Sequence, residues 1–291
     1  MKKISIHTYI IVLAAFVTGF TSCNKNDVPV AAGKSASGKI FRYDLVKNDY
    51  DVLPVTTFSL SYQDDLPVNV FEKNTQALFS YSLSYDAAKQ LVKAQANNSG
   101  TQNIIYDPAT KKPKQINYTT LTDTGKVVFT YQSGTGKLIS VLDSLKQPLK
   151  LPVKYQYLFT YDAAGNNVIQ ITKNQFDLQN RPTLRQNSYY KFDNNPNPFN
   201  NFPTLQSSIK LPGEFAALVN KNNVTEGKMV GVIYSPGGPG SGSEPILTPV
   251  DIYQSVWKYE YNDKGLPVKS IETFDNIQFS YKGSRTFTYD Y

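Results

Sequence analysis

Aromatic residues recurring at every second position limit this chain more than any other feature. Phe58, Leu60 and Tyr62 share one face of an extended segment, with Ser59 and Ser61 on the other. Tyr81-Ser-Leu-Ser-Tyr85 repeats that pattern 23 residues later. Tyr155, Tyr157, Phe159 and Tyr161 alternate with Lys154, Gln156, Leu158 and Thr160. Tyr253, Trp257, Tyr259 and Tyr261 oppose Gln254, Lys258 and Glu260, and Phe279 with Tyr281, then Phe287, Tyr289 and Tyr291, continue the series. Aromatics and Thr suit a pleated, half-buried surface. Polar residues between them put one face in water, which antiparallel sheets tolerate and buried parallel sheets do not. Helical periodicity is nearly absent; the candidates are residues 213–220, behind Pro212, and part of 86–94, both short. The expected fold is all-β: a long antiparallel meander of hairpins, strongly twisted and curled, as an open sheet or a partly closed barrel, with at most one or two short helices.

Turns punctuate the strands. Tyr161-Asp-Ala-Ala-Gly165-Asn-Asn-Val168 and Tyr261-Asn-Asp-Lys-Gly265-Leu-Pro-Val268 read as strand, turn, strand, the glycine supplying a positive φ. Tyr131-Gln-Ser-Gly-Thr-Gly136 is one residue longer. The segments after Tyr85 and Tyr106 are variants without glycine. Anchor tyrosines 85, 106, 131 and 161 are spaced by 21, 25 and 30 residues, an irregular repeat of hairpin units. A single hairpin is marginal in water, so neighbours must pair to bury the aromatic face. Residues 194–203 hold three prolines and are not expected to continue a central strand, and 235–245 is a Gly/Pro/Ser loop; both are expected to be exposed.

The Tyr-Asp-x-x-Gly-Asn unit at residues 161–166 resembles the YD-type repeats of Rhs-like proteins. Tyr190-Lys-Phe-Asp193-Asn-Asn-Pro196 resembles a turn of β-rich lipoproteins of Bacteroidota, and the Asn-, Tyr- and Lys-rich composition agrees with that source. The resemblance covers roughly residues 40–291 and implies a chain of hairpins. It carries no catalytic residues over.

The chain has one His and one Cys, His7 and Cys23, and the last 268 residues contain neither. Cys–His and Ser–His nucleophiles, His- or Cys-ligated metals and a disulfide framework are thereby excluded from the body. Both residues belong to a leader. Lys2 and Lys3 precede a nine-residue apolar run, Tyr9 to Val17, too short for a spanning helix and fit for a signal core. Phe20-Thr21-Ser22-Cys23 follows. This resembles a bacterial lipoprotein signal, which implies that residues 1–22 are removed and Cys23 is lipidated and anchors the protein to a membrane. No Asp follows the cysteine, so the outer membrane is expected, with the face undetermined. Residues 23–38 read as the lipidated Cys and a flexible tether. Residues 39–291 then form one all-β domain, with a possible subdomain break near 235–247.

Little remains for catalysis, and no catalytic residue, metal site or cofactor is assigned. The glycines at 237–242 lack the Lys-Ser/Thr and the helix that a phosphate loop needs. A glycosidase needs two carboxylates flanking the scissile bond; Glu260 and Glu272 lie on either side of one hairpin turn and are the pair to check. Asp86, Asp107, Asp162 and Asp263 sit at turns, where bonding to the backbone explains them. Asp44, Asp49 and Asp51 do not follow the calcium-loop spacing. The formal charge of +7 falls to +5 without the leader, and no nucleic-acid module is present. Sugar rings stack on Tyr and Trp, so Trp257, Tyr259 and Tyr261 are the candidate ligand-binding residues. The function expected is that of a non-enzymatic outer-membrane or cell-surface lipoprotein, a binding or scaffold module for a glycan or an envelope protein. The alternatives are a carbohydrate-active enzyme using an Asp/Glu pair and a purely structural envelope protein.

Overall fold

The structure, a computed structural model, describes residues 42–48, 56–74, 78–97, 100–147, 150–177, 180, 182–200, 220–233 and 249–291. The leader, Cys23, the tether, Asp49, Asp51, the helix candidate up to residue 219 and the 235–245 loop lie outside the described residues.

Sixteen strands follow one another along the chain: β1 (Arg42–Asn48), β2 (Thr56–Gln63), β3 (Leu66–Asn74), β4 (Leu78–Tyr85), β5 (Leu91–Ala96), β6 (Gly100–Tyr106), β7 (Pro113–Thr119), β8 (Thr124–Tyr131), β9 (Leu138–Gln147), β10 (Lys150–Tyr161), β11 (Val168–Phe176), β12 (Pro182–Pro196), β13 (Asn222–Ile233), β14 (Pro249–Tyr261), β15 (Pro267–Asn276) and β16 (Tyr281–Asp290). Each pairs antiparallel with the next. β16 pairs back onto β1, from Arg42 opposite Asp290 to Asn48 opposite Arg285, and closes the barrel. Closure leaves no edge strand to recruit another chain. Among the described residues, helix is confined to a 3₁₀ turn at Ile277–Phe279. The helix candidate at 86–94 is instead a turn leading into β5. Asp86 Oδ1 accepts the N–H groups of Ala88 and Gln90, and Lys89 sits at φ 60°, where no right-handed helix continues.

The period-two pattern sorts residues to the two sides of the wall. Leu45, Leu60, Val70, Leu83, Ile104, Ile116, Phe129, Val141, Phe159, Ile171 and Phe287 are buried and form one continuous cluster inside the barrel. The outward positions are of another kind: Ser80, Ser82 and Ser84 on β4, and Lys154, Gln156, Leu158 and Thr160 on β10. Across β12, β13 and β14, Lys191 pairs with Glu226 and Lys228 with Asp251 on the outer surface. The inside is therefore aromatic and aliphatic, and the outside is mostly hydroxyl, amide and charge.

The two rims differ. One carries the Tyr-containing turns, the C-terminal Tyr291 and the start of β1. At several of its turns an acidic or amide side chain caps backbone donors: Asp107 Oδ1 accepts from Ala109 and Thr110, Asp162 from Asn166 and Asn167, and Asn262 from Lys264 and Leu266. Gly165 and Gly265 hold φ near 71° and 72°; in the variants without glycine, Lys89 and Lys111 take that left-handed position at 60° and 58°. Four of the rim tyrosines each reach back to a carbonyl at the start of the preceding strand. Tyr85 Oη donates to the carbonyl of Pro67 at 2.6 Å, Tyr106 to Leu91 at 3.0 Å, Tyr161 to Leu138 at 2.9 Å and Tyr291 to Pro267 at 2.8 Å.

The Pro-rich segment departs from expectation. β12 continues through Pro196, and Asn197 and Pro198 are buried rather than exposed. A register break between Phe192 and Pro196 lets the proline end the strand without a missing ladder bond. Asparagines satisfy the rest: Asn197 Nδ2 donates to the Asn220 carbonyl at 2.9 Å, Asn220 Oδ1 accepts the Val168 N–H, and Asn222 and Asn167 bond each other. Phe199, just beyond, packs against Tyr289 with ring centroids 6.4 Å apart. The tyrosine rim is thus the packed end. Further along the same strands the inward residues Tyr155, Tyr157, Met229, Tyr253 and Tyr281 are only half-buried.

Candidate functional site

The inner wall over β14–β16 brings together the polar and aromatic groups with most capacity for binding. Alternation on β14 points Tyr253, Ser255, Trp257, Tyr259 and Tyr261 inward. The ladder sets Trp257 opposite Glu272 on β15, and Glu272 opposite Arg285 on β16. The predicted residues Trp257, Tyr259 and Tyr261 form a stacked ladder, with centroids 6.3 and 5.8 Å apart and planes within 24°; Trp257 also stacks on Phe287 at 5.4 Å. The ladder is contiguous, but it lines the inside of the barrel rather than an outer platform.

The three aromatics are not equivalent. Tyr259 Oη donates to the Val224 carbonyl at 2.9 Å, and Tyr261 Oη to Asp193 Oδ2, so both hydroxyls are committed to holding β12 and β13. Trp257 Nε1 is buried and donates to nothing. Its neighbours share that condition: Glu272 Oε2 and Arg285 Nε are also buried atoms without a hydrogen-bond partner. A buried polar group left unpaired costs about 1–3 kcal/mol, so two in one row, Trp257 Nε1 and Arg285 Nε, mark a place that is not optimised for stability alone.

The rest of the row is well tied. Tyr253 Oη donates to Glu272 Oε1 at 2.6 Å, and Arg285 Nη1 lies 3.4 Å from Glu272 Oε2. The Arg285 guanidinium lies 4.6 Å from the centre of the Phe274 ring, which stacks on Tyr253 at 5.8 Å. Glu272 is 1% exposed. Burial pushes its carboxyl above the ordinary value, and the Arg285 charge with the Tyr253 and Ser255 hydroxyls pulls it only part of the way back. The wall offers an indole N–H, a guanidinium N–H and a carboxylate oxygen beside aromatic faces. That is equipment for orienting a polar ring.

Glu260 does not join Glu272. It faces outward and pairs with Lys269 at 2.6 Å, so the barrel wall separates the two carboxylates and they cannot flank one bond. Asp44 pairs with Arg42 at 2.7 Å. Asp86, Asp107 and Asp162 cap turns, as expected from their positions; at the last such turn Asn262 does this in place of Asp263. The sequence singled out Glu272 only as a partner for Glu260, and Arg285 not at all. The signal available was parity: Glu272 lies two residues before Phe274, and Arg285 two before Phe287, both on the aromatic side.

No family model and no curated protein matches the chain. Among solved structures, it resembles a porin-like protein from Bacteroides uniformis at 11% identity and a TM-score of 0.51, over 88% of this chain and 97% of that one. It resembles another porin-like protein, from Bacteroides vulgatus, at 12% identity and a TM-score of 0.51, over 87% of this chain and 98% of that one. An overlap with the TcdB2-TccC3-TEV structure has a TM-score of 0.25, too low for a shared fold. At these identities the two Bacteroides proteins share with this chain the architecture of a β-barrel.

Proposed function

We propose that this protein is a non-enzymatic lipoprotein of the outer membrane, held by lipid on Cys23, whose barrel stands in water beside the membrane and binds a glycan on its inner wall. The observation behind this is the sidedness of the wall. A barrel that spans a membrane turns an apolar band about 25 Å tall toward lipid and polar residues inward. Here the serine row of β4, the lysine–glutamine row of β10 and the ion pairs of β12–β14 face out, and the aromatics face in. Trp257 and Tyr253, half-buried on that inner wall beside the Glu272–Arg285 ion pair and the unpaired Trp257 Nε1 and Arg285 Nε, supply stacking faces and hydrogen bonds together.

The test uses the full chain and its Cys23→Ser variant, expressed in a Gram-negative host. The expected outcome is that the full chain sediments with membranes and Cys23→Ser is recovered folded in the soluble fraction. The sole tryptophan, Trp257, reports ligand: a panel of oligosaccharides is titrated against its emission, and saturable quenching is expected from at least one class. A Cys23→Ser barrel that stays embedded in the bilayer would overturn the placement in water. A flat emission across the panel would overturn the glycan site.

A further inference from the structure

The positive charge of this barrel is gathered on one side. Residues 86–161, which span β5–β10, contain ten lysines, four aspartates and no arginine or glutamate, a balance of +6. From Cys23 onward the rest of the chain carries 18 basic and 19 acidic residues. Among the described residues every ion pair lies on β1 or β12–β16. Among the described residues no lysine of β5–β10 is in an ion pair, although Lys114 lies near enough to Asp107 to help lower its carboxyl pKa. Lys112 and Lys137 lie over the rings of Tyr131 and Tyr161 at the tyrosine rim, and Lys154 donates to Asn180 Oδ1 at 2.6 Å. Lys126 stands between Asn117 and Ser144, and Ser144 faces Lys154 on the next strand. Lys126 and Lys154 are two strands apart, about 10 Å.

The surface between these cations carries the hydrogen-bonding groups of Ser84, Asn103, Gln115, Asn117, Thr119 and Ser140, beside the exposed Ile105 and Leu158. At the rim away from the tyrosines it ends in an open hollow of 380 Å³ lined by residues 119–124 and Lys146. Four threonines line it, and Asp123 contributes a buried carboxylate oxygen, Oδ1, that accepts no hydrogen bond.

We propose that the outer wall over β5–β10 is a docking surface for an acidic polysaccharide. Lys126, Lys146 and Lys154 meet its carboxylates. The threonine hollow takes ring hydroxyls, one of them donating to Asp123 Oδ1. The site is separate from the inner wall and independent of what binds there. Nucleic acid is a poorer fit, because the tyrosines of these strands point inward and offer bases no stacking face. A lipid surface is the alternative that vesicle binding tests; β1 lies eight strands around the closed barrel from β9.

The experiment uses the full chain in neutral detergent, with immobilised polygalacturonate as the probe. Dextran and phosphatidylglycerol vesicles serve as comparisons. Retention on polygalacturonate at low salt and release at high salt are expected, since exposed charges are screened. K126E/K146E/K154E should weaken retention by at least about tenfold, and K221E/K258E/K264E, with the same charge change on and beside β13–β15, by less than about twofold. Thermal unfolding of both variants establishes that they fold. Equal weakening by the two triples would overturn the proposal, as would no retention of the unaltered chain, or vesicle binding that the first triple abolishes and polygalacturonate does not match.

Discussion

The hydroxyl of Tyr161 donates to the carbonyl of Leu138, 2.9 Å away and 23 residues earlier in the chain. Tyr161 ends β10 and Leu138 opens β9, so the bond ties the β10–β11 turn to the turn before it. Tyr85, Tyr106 and Tyr291 repeat the relationship with Pro67, Leu91 and Pro267. The anchor tyrosine is thus a stitch along one rim, and burial raises the Tyr161 phenol above its ordinary pKa despite that bond. Tyr161→Phe keeps the ring under Lys137 and removes only the donor. It should cost about 0.5–1.5 kcal/mol of stability in denaturant unfolding, with an unchanged slope. Loss well under that range would mean that the hydroxyl is no stitch.

Lys111 occupies a left-handed position at φ 58° that glycine fills in the related turns. A side chain there carries about 1 kcal/mol of strain that glycine does not. Lys111→Gly should therefore raise stability by a few tenths to about 1 kcal/mol, the gain being reduced by the greater freedom of glycine in the unfolded chain. The same change at Lys114, an exposed residue inside β7, should lower stability. A drop at both positions would show that the turn geometry gives Lys111 no strain.

How far the sequence could be read follows from which physical terms are local. Strand faces are local, because alternation at Tyr155–Tyr161 or Phe287–Tyr291 decides which side is buried, and the structure keeps those faces. Turn roles are local too, as Asp107 and Asp162 capping their own backbone demonstrate. Closure is not: that Arg42 pairs with Asp290 depends on the accumulated twist of sixteen strands, and no residue pair announces it. Which face is inside depends on closure, so Trp257, Tyr259 and Tyr261 were legible as an aromatic strip but not as an inner lining. The Trp257–Glu272–Arg285 row is a register relationship across three strands, invisible in one dimension. The Pro-rich stretch at 194–198 misled because its polar groups are met by Asn220, Asn222 and Asn223, more than 20 residues away.

Glu272 gives the barrel a pH dependence of known sign. Its folded carboxyl titrates above the unfolded value because burial outweighs Arg285 and Tyr253. Between those two values the folded state holds more protons than the unfolded state, so stability falls as pH rises through that window. The unaltered protein should lose stability relative to Glu272→Gln as pH is raised from about 4.5 toward neutrality. Parallel profiles for the two proteins in urea melts at several pH values would place the carboxyl at its ordinary pKa.

Trp257 is stacked on Phe287 and Tyr259, so Trp257→Ala should cost about 2–4 kcal/mol, whereas Trp257→Phe should cost less than about 1.5 kcal/mol because it preserves the stack. The useful contrast lies in ligand binding. Trp257→Phe keeps the ring face and loses the unpartnered Nε1 donor. If that donor orients the ligand, Trp257→Phe should bind about 5- to 10-fold more weakly in calorimetry while melting almost normally. Tyr259→Phe, which loses a hydroxyl already given to Val224, should bind normally and melt lower.

Leu158 and Phe159 are adjacent on β10 and face opposite ways, Leu158 outward at 38% exposure and Phe159 inward at 7%. They separate a barrel in water from a barrel in lipid. In water, Leu158→Lys adds one more cation to a wall that already carries Lys154 and Gln156, and it should change stability by no more than about 0.5 kcal/mol. In a membrane the same change at mid-height would cost about 2–4 kcal/mol. Phe159→Lys places an unpaired charge in the packed cluster with Val141 and Ile171 and should abolish the cooperative unfolding transition in either setting. The informative result is therefore the ratio. A silent Leu158→Lys beside a ruinous Phe159→Lys fixes the outer wall in water, and comparable damage from both would put lipid against it.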